Sequence, residues 1–177
     1  MNQGFDSGKL AVCGLHELLT VNPSRYSHVI SIWHPSQNSP GLLDRVRKTF
    51  STSKIHTALF DDIESDGPDA HPPRITDAAA ILRFTQSLNS SDTLLIHCMA
   101  GISRSTACAI AILCQHDPDQ APATLAKKLA TIRPQADPNR LLIRHFDQLL
   151  NRGQQLIHAV EEVFGPSFGA ANKGWIK

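Results

Sequence analysis

Long apolar runs are missing from this chain. Nothing in it approaches the roughly 20 consecutive apolar residues that a membrane-spanning helix needs. Cysteine is sparse: Cys13, Cys98, Cys108 and Cys114 are the only four in 177 residues, and no two form a CxxC pair. That argues against a disulfide framework and against a cysteine-based zinc module. There is no excess charge of one sign, with 17 Lys and Arg against 16 Asp and Glu for a formal net charge of +1. Bulk attraction to nucleic acid or to an anionic membrane is therefore not expected. The opening stretch "MNQGFDSGKLAVCG" has no basic segment followed by an apolar one, so no secretory signal is expected. These absences predict a cytoplasmic monomer without nucleic-acid or membrane partners. The nine histidines are scattered, and neither a metal nor another cofactor is assigned to them.

What the chain has is alternation. "KLAVCG", "SHVISIW", "KIHTALF" and "TLLIH" read as short strands rich in β-branched and apolar residues. Helical spacing fits "GLLDRVRKTF", where Leu42, Leu43, Val46 and Phe50 share one side. It also fits "RITDAAAILRFTQSL", "SRSTACAIAILC" and "ATLAKKLATI". The stretch "RLLIRHFDQLLNRGQQLIHAVEEVF" reads as one long helix or as two joined near Gly153. Turn formers mark "HPSQNSP", "DDIESDGPDAHPP" and "RPQADPN" as loops. The prediction is a single α/β domain over 1–177, with its core at about 9–164 and a loosely held tail at 165–177. A central, mainly parallel sheet of four to five strands would be covered by helices on both faces. Ligands in such folds bind beyond the carboxyl ends of the strands. Both "HCMAGISRS" and the acidic loop after "KIHTALF" fall at such ends.

The loop between Cys98 and Arg104 carries chemistry in its spacing. A strand ends before it and a helix begins near Ser103. If the loop curls, the N–H groups of Met99, Ala100, Gly101, Ile102 and Ser103 converge on one point. The helix N-terminus adds unpaired donors and partial positive charge, making a cradle for an anion. Gly101 allows the chain to turn where a side chain would collide. Arg104 supplies a planar fork matched to two phosphate oxygens. Cys98 lies at the floor, where the donors that hold a dianion also favour the thiolate, and Ser105 or Ser103 can donate a further hydrogen bond. An arginine in a tight loop before an apolar helix is costly to bury without an anionic partner. Cys13, Cys108 and Cys114 read instead as small buried hydrophobes.

The segment "HCMAGISRS" resembles the H-C-x5-R-[S/T] loop of the cysteine-based protein tyrosine phosphatases, in the form of their dual-specificity branch. "SHVISI" is similar to an early strand of those enzymes, and "IRPQADPNRLLIRHFDQLL" to their late R-P-x3-P-N turn and helix. The resemblance implies the phosphatase fold and a metal-free hydrolysis of phosphomonoesters through a phosphocysteine. Cys98 would be the nucleophile, and Arg104 with the loop amides would hold the phosphate. His97 and Asn139 would brace the site. The partner implied is a phosphorylated protein or peptide, or a small phosphorylated metabolite.

The resemblance also implies an aspartic acid just after the strand that precedes the acidic loop, donating a proton to the leaving oxygen. Asp62 ranks first, continuing the alternation of Ala58 and Phe60. Asp61 ranks second, and Asp66 competes because its spacing to Cys98 is close to the family's. Two other readings stand beside protein phosphatase. One is a phosphatase of an inositol phosphate, a phosphoinositide or an RNA 5′ phosphate, ranked lower because Met99 and Ile102 bring no extra positive charge to the loop. The other is a phosphate-binding module without turnover. A rhodanese-like sulfur transferase is a further rival.

Overall fold

A computed structural model describes residues 5–35, 40–65 and 70–166. Four strands form one parallel sheet in the order β1-β4-β2-β3: β1 Leu10–Gly14, β2 His28–Trp33, β3 Lys54–Leu59 and β4 Leu94–Cys98. The two inner strands are buried along their whole length, whereas β3 at one edge is half-buried through Ile55, His56 and Thr57, buried only at Ala58 and exposed at both ends. A parallel strand covered on both faces needs an apolar run rather than strict alternation. "HVISIW" and "LLIHC" have that composition.

Helices cover both faces. On one side Leu18 of α1 (Leu15–Leu18), Leu43 and Val46 of α2 (Pro40–Thr49) and Phe50 just after it pack against Val29, Trp33 and Leu95. The larger core lies opposite, under α3 (Ile75–Thr85), α4 (Arg104–His116), α5 (Pro122–Ile132), α6 (Arg140–Leu149) and α7 (Gln155–Phe164). Its centre is α4, buried from Arg104 to Cys114. The small residues Ala107, Ala109 and Ala111 let this helix sit in the middle of the layer while Ile110 and Ile112 fill the space around it.

Of the two readings for residues 140–164, the two-helix one holds. Asn151, Gly153 and Gln154 all have positive φ, at 52°, 56° and 72°. Asp147 closes the break: its carboxylate accepts from Gln154 N at 2.7 Å and Leu156 N at 2.9 Å. An acidic side chain taking the free N–H groups of a helix start is worth about 1 kcal/mol. The sheet has four strands among the described residues, the lower end of the expectation. Residues 167–177 of the expected tail lie outside the described residues.

Candidate active site

The site forms where β4 runs into α4, beside the end of β1. Gly14 stands opposite Cys98, and Cys13 opposite His97, across the β1–β4 pair. The two chains approach so closely that a Cβ on Gly101 would lie 2.4 Å from Gly14 N, and Gly101 itself has φ +71°. Glycine is required there for conformation and for space.

Each carbonyl of residues 99–103 is turned outward onto a donor. Met99 O accepts from Leu15 N at 3.0 Å, and Ile102 O from Asp137 N at 2.9 Å. Ala100 O and Gly101 O accept from Arg133 at 3.3 and 2.9 Å. Ser103 O accepts from Ala107 N at 3.0 Å and Asn139 N at 3.3 Å, and Thr106 Oγ1 donates to it at 2.8 Å. With the oxygens on the convex side, the N–H groups lie on the concave one. Gly101 N–H points at the Cys98 sulfur, 3.2 Å away. The Ser105 hydroxyl lies 3.2 Å from the same sulfur. Burial pushes the Cys13 thiol up to about 12 and the Cys114 thiol up to about 11, and it raises Cys108 as well. Those three remain protonated thiols in the core, as expected of small buried hydrophobes.

Arg104, 3% exposed, occupies the first turn of α4. Its Nη1 donates to Phe60 O at 2.9 Å. That bond leaves the Nε–Nη2 edge, the pair of parallel donors that suits two oxygens of one anion. Nε is buried without a hydrogen bond and sits 3.6 Å from Asp62 Oδ2. A buried guanidinium nitrogen without a hydrogen bond is costly, and an oxyanion bonded to that edge would relieve the cost.

The three candidate acids are placed differently. Asp62 Oδ1 accepts from Ser103 Oγ at 2.6 Å and from Asn139 Nδ2 at 3.0 Å, so this carboxylate stands over the loop at its helix end. Asn139 also caps α6, its Oδ1 accepting from Leu142 N at 3.0 Å. Asp61 is 6% exposed and closes the base of the acidic loop. It accepts from His71 N at 2.9 Å, donates its own N–H to His71 O at 2.7 Å, and pairs with His34 Nε2 at 3.1 Å. Asp66 lies outside the described residues.

His97 is 1% exposed. Its Nε2 lies 2.6 Å from Ser31 Oγ, which accepts from the Trp33 indole at 2.6 Å. The indole can only donate, which leaves the serine hydroxyl's own proton and its second lone pair to meet Nε2, while Nδ1 is buried without a hydrogen-bond partner. Burial lowers its pKa to about 4, so the ring is neutral in the fold.

Sequence reasoning named Cys98, Met99, Ala100, Gly101, Ile102, Ser103, Arg104, Ser105, His97, Asn139 and Asp62, and the structure brings them together. It missed Glu17, Arg133, Ser31 and Trp33. Arg133 had a signal as the first residue of the R-P turn. Glu17 had none, in a four-residue helix far from the loop in sequence. A cavity of about 1320 Å³ opens beside the loop, between Asp62–Ser65 and Pro134–Asp137, with Ile143, Ile157 and Phe164 among its lining. Two of the segments that form it are the acidic loop and the R-P turn.

No protein-family model and no curated protein matches the chain. Solved structures do. The phosphatase domain of Yvh1 from Chaetomium thermophilum is similar at 20% identity over 88% of this chain and 98% of its own, with a TM-score of 0.55. The human tyrosine phosphatase-like serine/threonine/tyrosine-interacting protein is similar at 16% identity over 86% and 99%, with a TM-score of 0.59. DUSP15 is similar at 20% identity over 94% and 100%, with a TM-score of 0.55. The chain thus has the fold of these dual-specificity and tyrosine-phosphatase-like structures.

Proposed function

We propose that this chain is a metal-independent phosphomonoester hydrolase of the protein tyrosine or dual-specificity type. The observation that carries the reading is the convergence on one point of the Cys98 sulfur, the Gly101 N–H and the Ser105 hydroxyl, with Arg104, whose buried Nε makes no hydrogen bond, in the first turn of the helix that follows. Phosphate is the anion matched to a curled ring of amides closed by a two-donor guanidinium edge.

In this reading the phosphate oxygens lie on the loop amides and on Arg104, which stabilise the charge spread over them in the transition state. Cys98 Sγ attacks phosphorus in line with the leaving oxygen. The S–P bond forms as the P–O ester bond breaks, and Asp62 gives its proton to the departing alkoxide or phenoxide. Asp62 Oδ1 is engaged by Ser103 and Asn139, and Oδ2, 3.6 Å from Arg104 Nε, yields that edge to the incoming phosphate and carries the proton. Water then attacks phosphorus, Asp62 takes a proton from it, and the thiolate leaves. Asp61, held by His34 and His71, anchors the loop that carries Asp62.

The substrate in this reading is a phosphorylated protein or peptide, with phosphotyrosine reaching the sulfur between the acidic loop and the R-P turn. A panel of phosphotyrosine, phosphoserine and phosphothreonine peptides, inositol phosphates and 5′-phosphorylated RNA, assayed with a chelator present, tests it. The expected result is fastest release from the phosphotyrosine peptide and none in Cys98→Ser. Preferential release from an inositol phosphate or RNA would overturn the substrate class. Tight phosphopeptide binding without turnover would establish the module reading instead.

A further inference from the structure

The convex side of the phosphate loop is fastened from a distance. Arg133 is buried, and it splits its donors between the loop and one carboxylate. Nε donates to Gly101 O at 2.9 Å and Nη2 to Ala100 O at 3.3 Å. Nη1 and Nη2 also donate to Glu17 Oε1 and Oε2, at 2.6 and 2.7 Å. Glu17 Oε2 accepts in addition from Gly14 N at 2.7 Å, which ties the pair to the end of β1.

A peptide unit is a rigid plane, so what holds its oxygen also aims its N–H. Ala100 O and Gly101 N belong to one such plane. The oxygen rests on Arg133 and the N–H points at the Cys98 sulfur. Gly101 O and Ile102 N belong to the next plane, and its oxygen is again on Arg133. Two neutral carbonyls alone would hold this guanidinium weakly. The bidentate carboxylate sets its plane and takes up its charge.

We propose that Glu17 is a positioning residue for the phosphate loop, acting through Arg133 to aim the amides that face the anion and the reactive sulfur. It supplies from α1 the carboxylate partner that Arg133 does not find among Met99, Ala100 and Ile102, which carry no charge. The pair also sustains its own ionisation: the Arg133 hydrogen bonds hold the Glu17 carboxyl below the usual carboxylate range, and Glu17 raises Arg133.

The inference rests on the phosphatase reading of the loop, and its test separates the two. Tungstate, a phosphate-shaped oxyanion, is titrated calorimetrically into the wild type, Glu17→Ala and Glu17→Gln, and aryl phosphate kinetics are run on the same samples. Glu17→Ala is expected to weaken tungstate about tenfold, the scale of one lost charge-assisted contact, with unchanged stoichiometry and a matching fall in kcat. Glu17→Gln keeps an acceptor for Gly14 or Arg133 and is expected between the two. Should Glu17→Ala fail to fold, Glu17→Gln carries the test, with about a threefold loss expected. Wild-type tungstate affinity in the folded variants would overturn the proposal. So would a loss confined to stoichiometry, which is the mark of a merely structural role. A wild type that binds tungstate and turns over no phosphate ester would overturn the phosphatase reading and leave this one standing.

Discussion

Replacing His97 turns the buried network behind the site into a measurable acid dependence. The ring is neutral in the fold, with its pKa lowered from 6.5 to about 4 by burial. In the unfolded chain it titrates near its ordinary value of about 6.5. Above that pH both states are neutral at this position and His97 adds no pH dependence. As pH falls from 6.5 towards 4 the unfolded chain gains a proton that the fold refuses. Stability is lost at about 1.4 kcal/mol per pH unit, about 3 kcal/mol over the window. Burial depresses His28, His56 and His116 in the same direction, so the whole protein loses more than this. The assay is a set of urea unfolding curves from pH 7.5 to 4 for the wild type and His97→Asn. The variant starts lower at neutral pH because the Ser31 contact changes. It then declines less steeply, and the two curves converge by about 3 kcal/mol. Parallel curves across that range would refute the buried neutral imidazole.

Asp62→Asn is expected to lower kcat about a hundredfold or more on esters with poor leaving groups, and far less on aryl phosphates whose phenol departs without a proton. Asp61→Asn should slow all esters alike, since it loosens the loop without removing the proton donor. Equal leaving-group dependence in both variants would contradict the assignment of Asp62. Gly101→Ala places a Cβ 2.4 Å from Gly14 N and 2.5 Å from Cys13 C at a φ of +71°. A loss of about 3 kcal/mol or more is expected in urea unfolding. A change below about 0.5 kcal/mol would contradict the close crossing of the two loops.

The strands and the phosphate loop were legible because their signals are local. "HVISIW" and "LLIHC" are apolar runs of strand length, and the interval from Cys98 to Arg104 is fixed by chain geometry. The acidic loop was legible in place but ambiguous in detail. Asp61 and Asp62 are adjacent, and only their partners separate them: His34 and His71 for one, Ser103, Asn139 and Arg104 for the other. Those partners come from loops whose position no periodicity encodes. The break in the last helical stretch was marked by Gly153, but its cause is the capping carboxylate of Asp147, which reads in sequence as an ordinary polar helix position. Glu17 was invisible for the same reason. Its partner is 116 positions away, and their meeting depends on β1 and the R-P turn lying side by side at one end of the sheet.

The central claim is that Cys98 accepts the phosphoryl group. Rapid acid quench of the protein during incubation with an aryl phosphate, followed by peptide mass analysis, tests it most directly. The account predicts one added phosphoryl group on the peptide containing Cys98, with none on the same peptide from Cys98→Ser. Turnover that proceeds with that cysteine unmodified at every quench time, or that persists in Cys98→Ser, would contradict it.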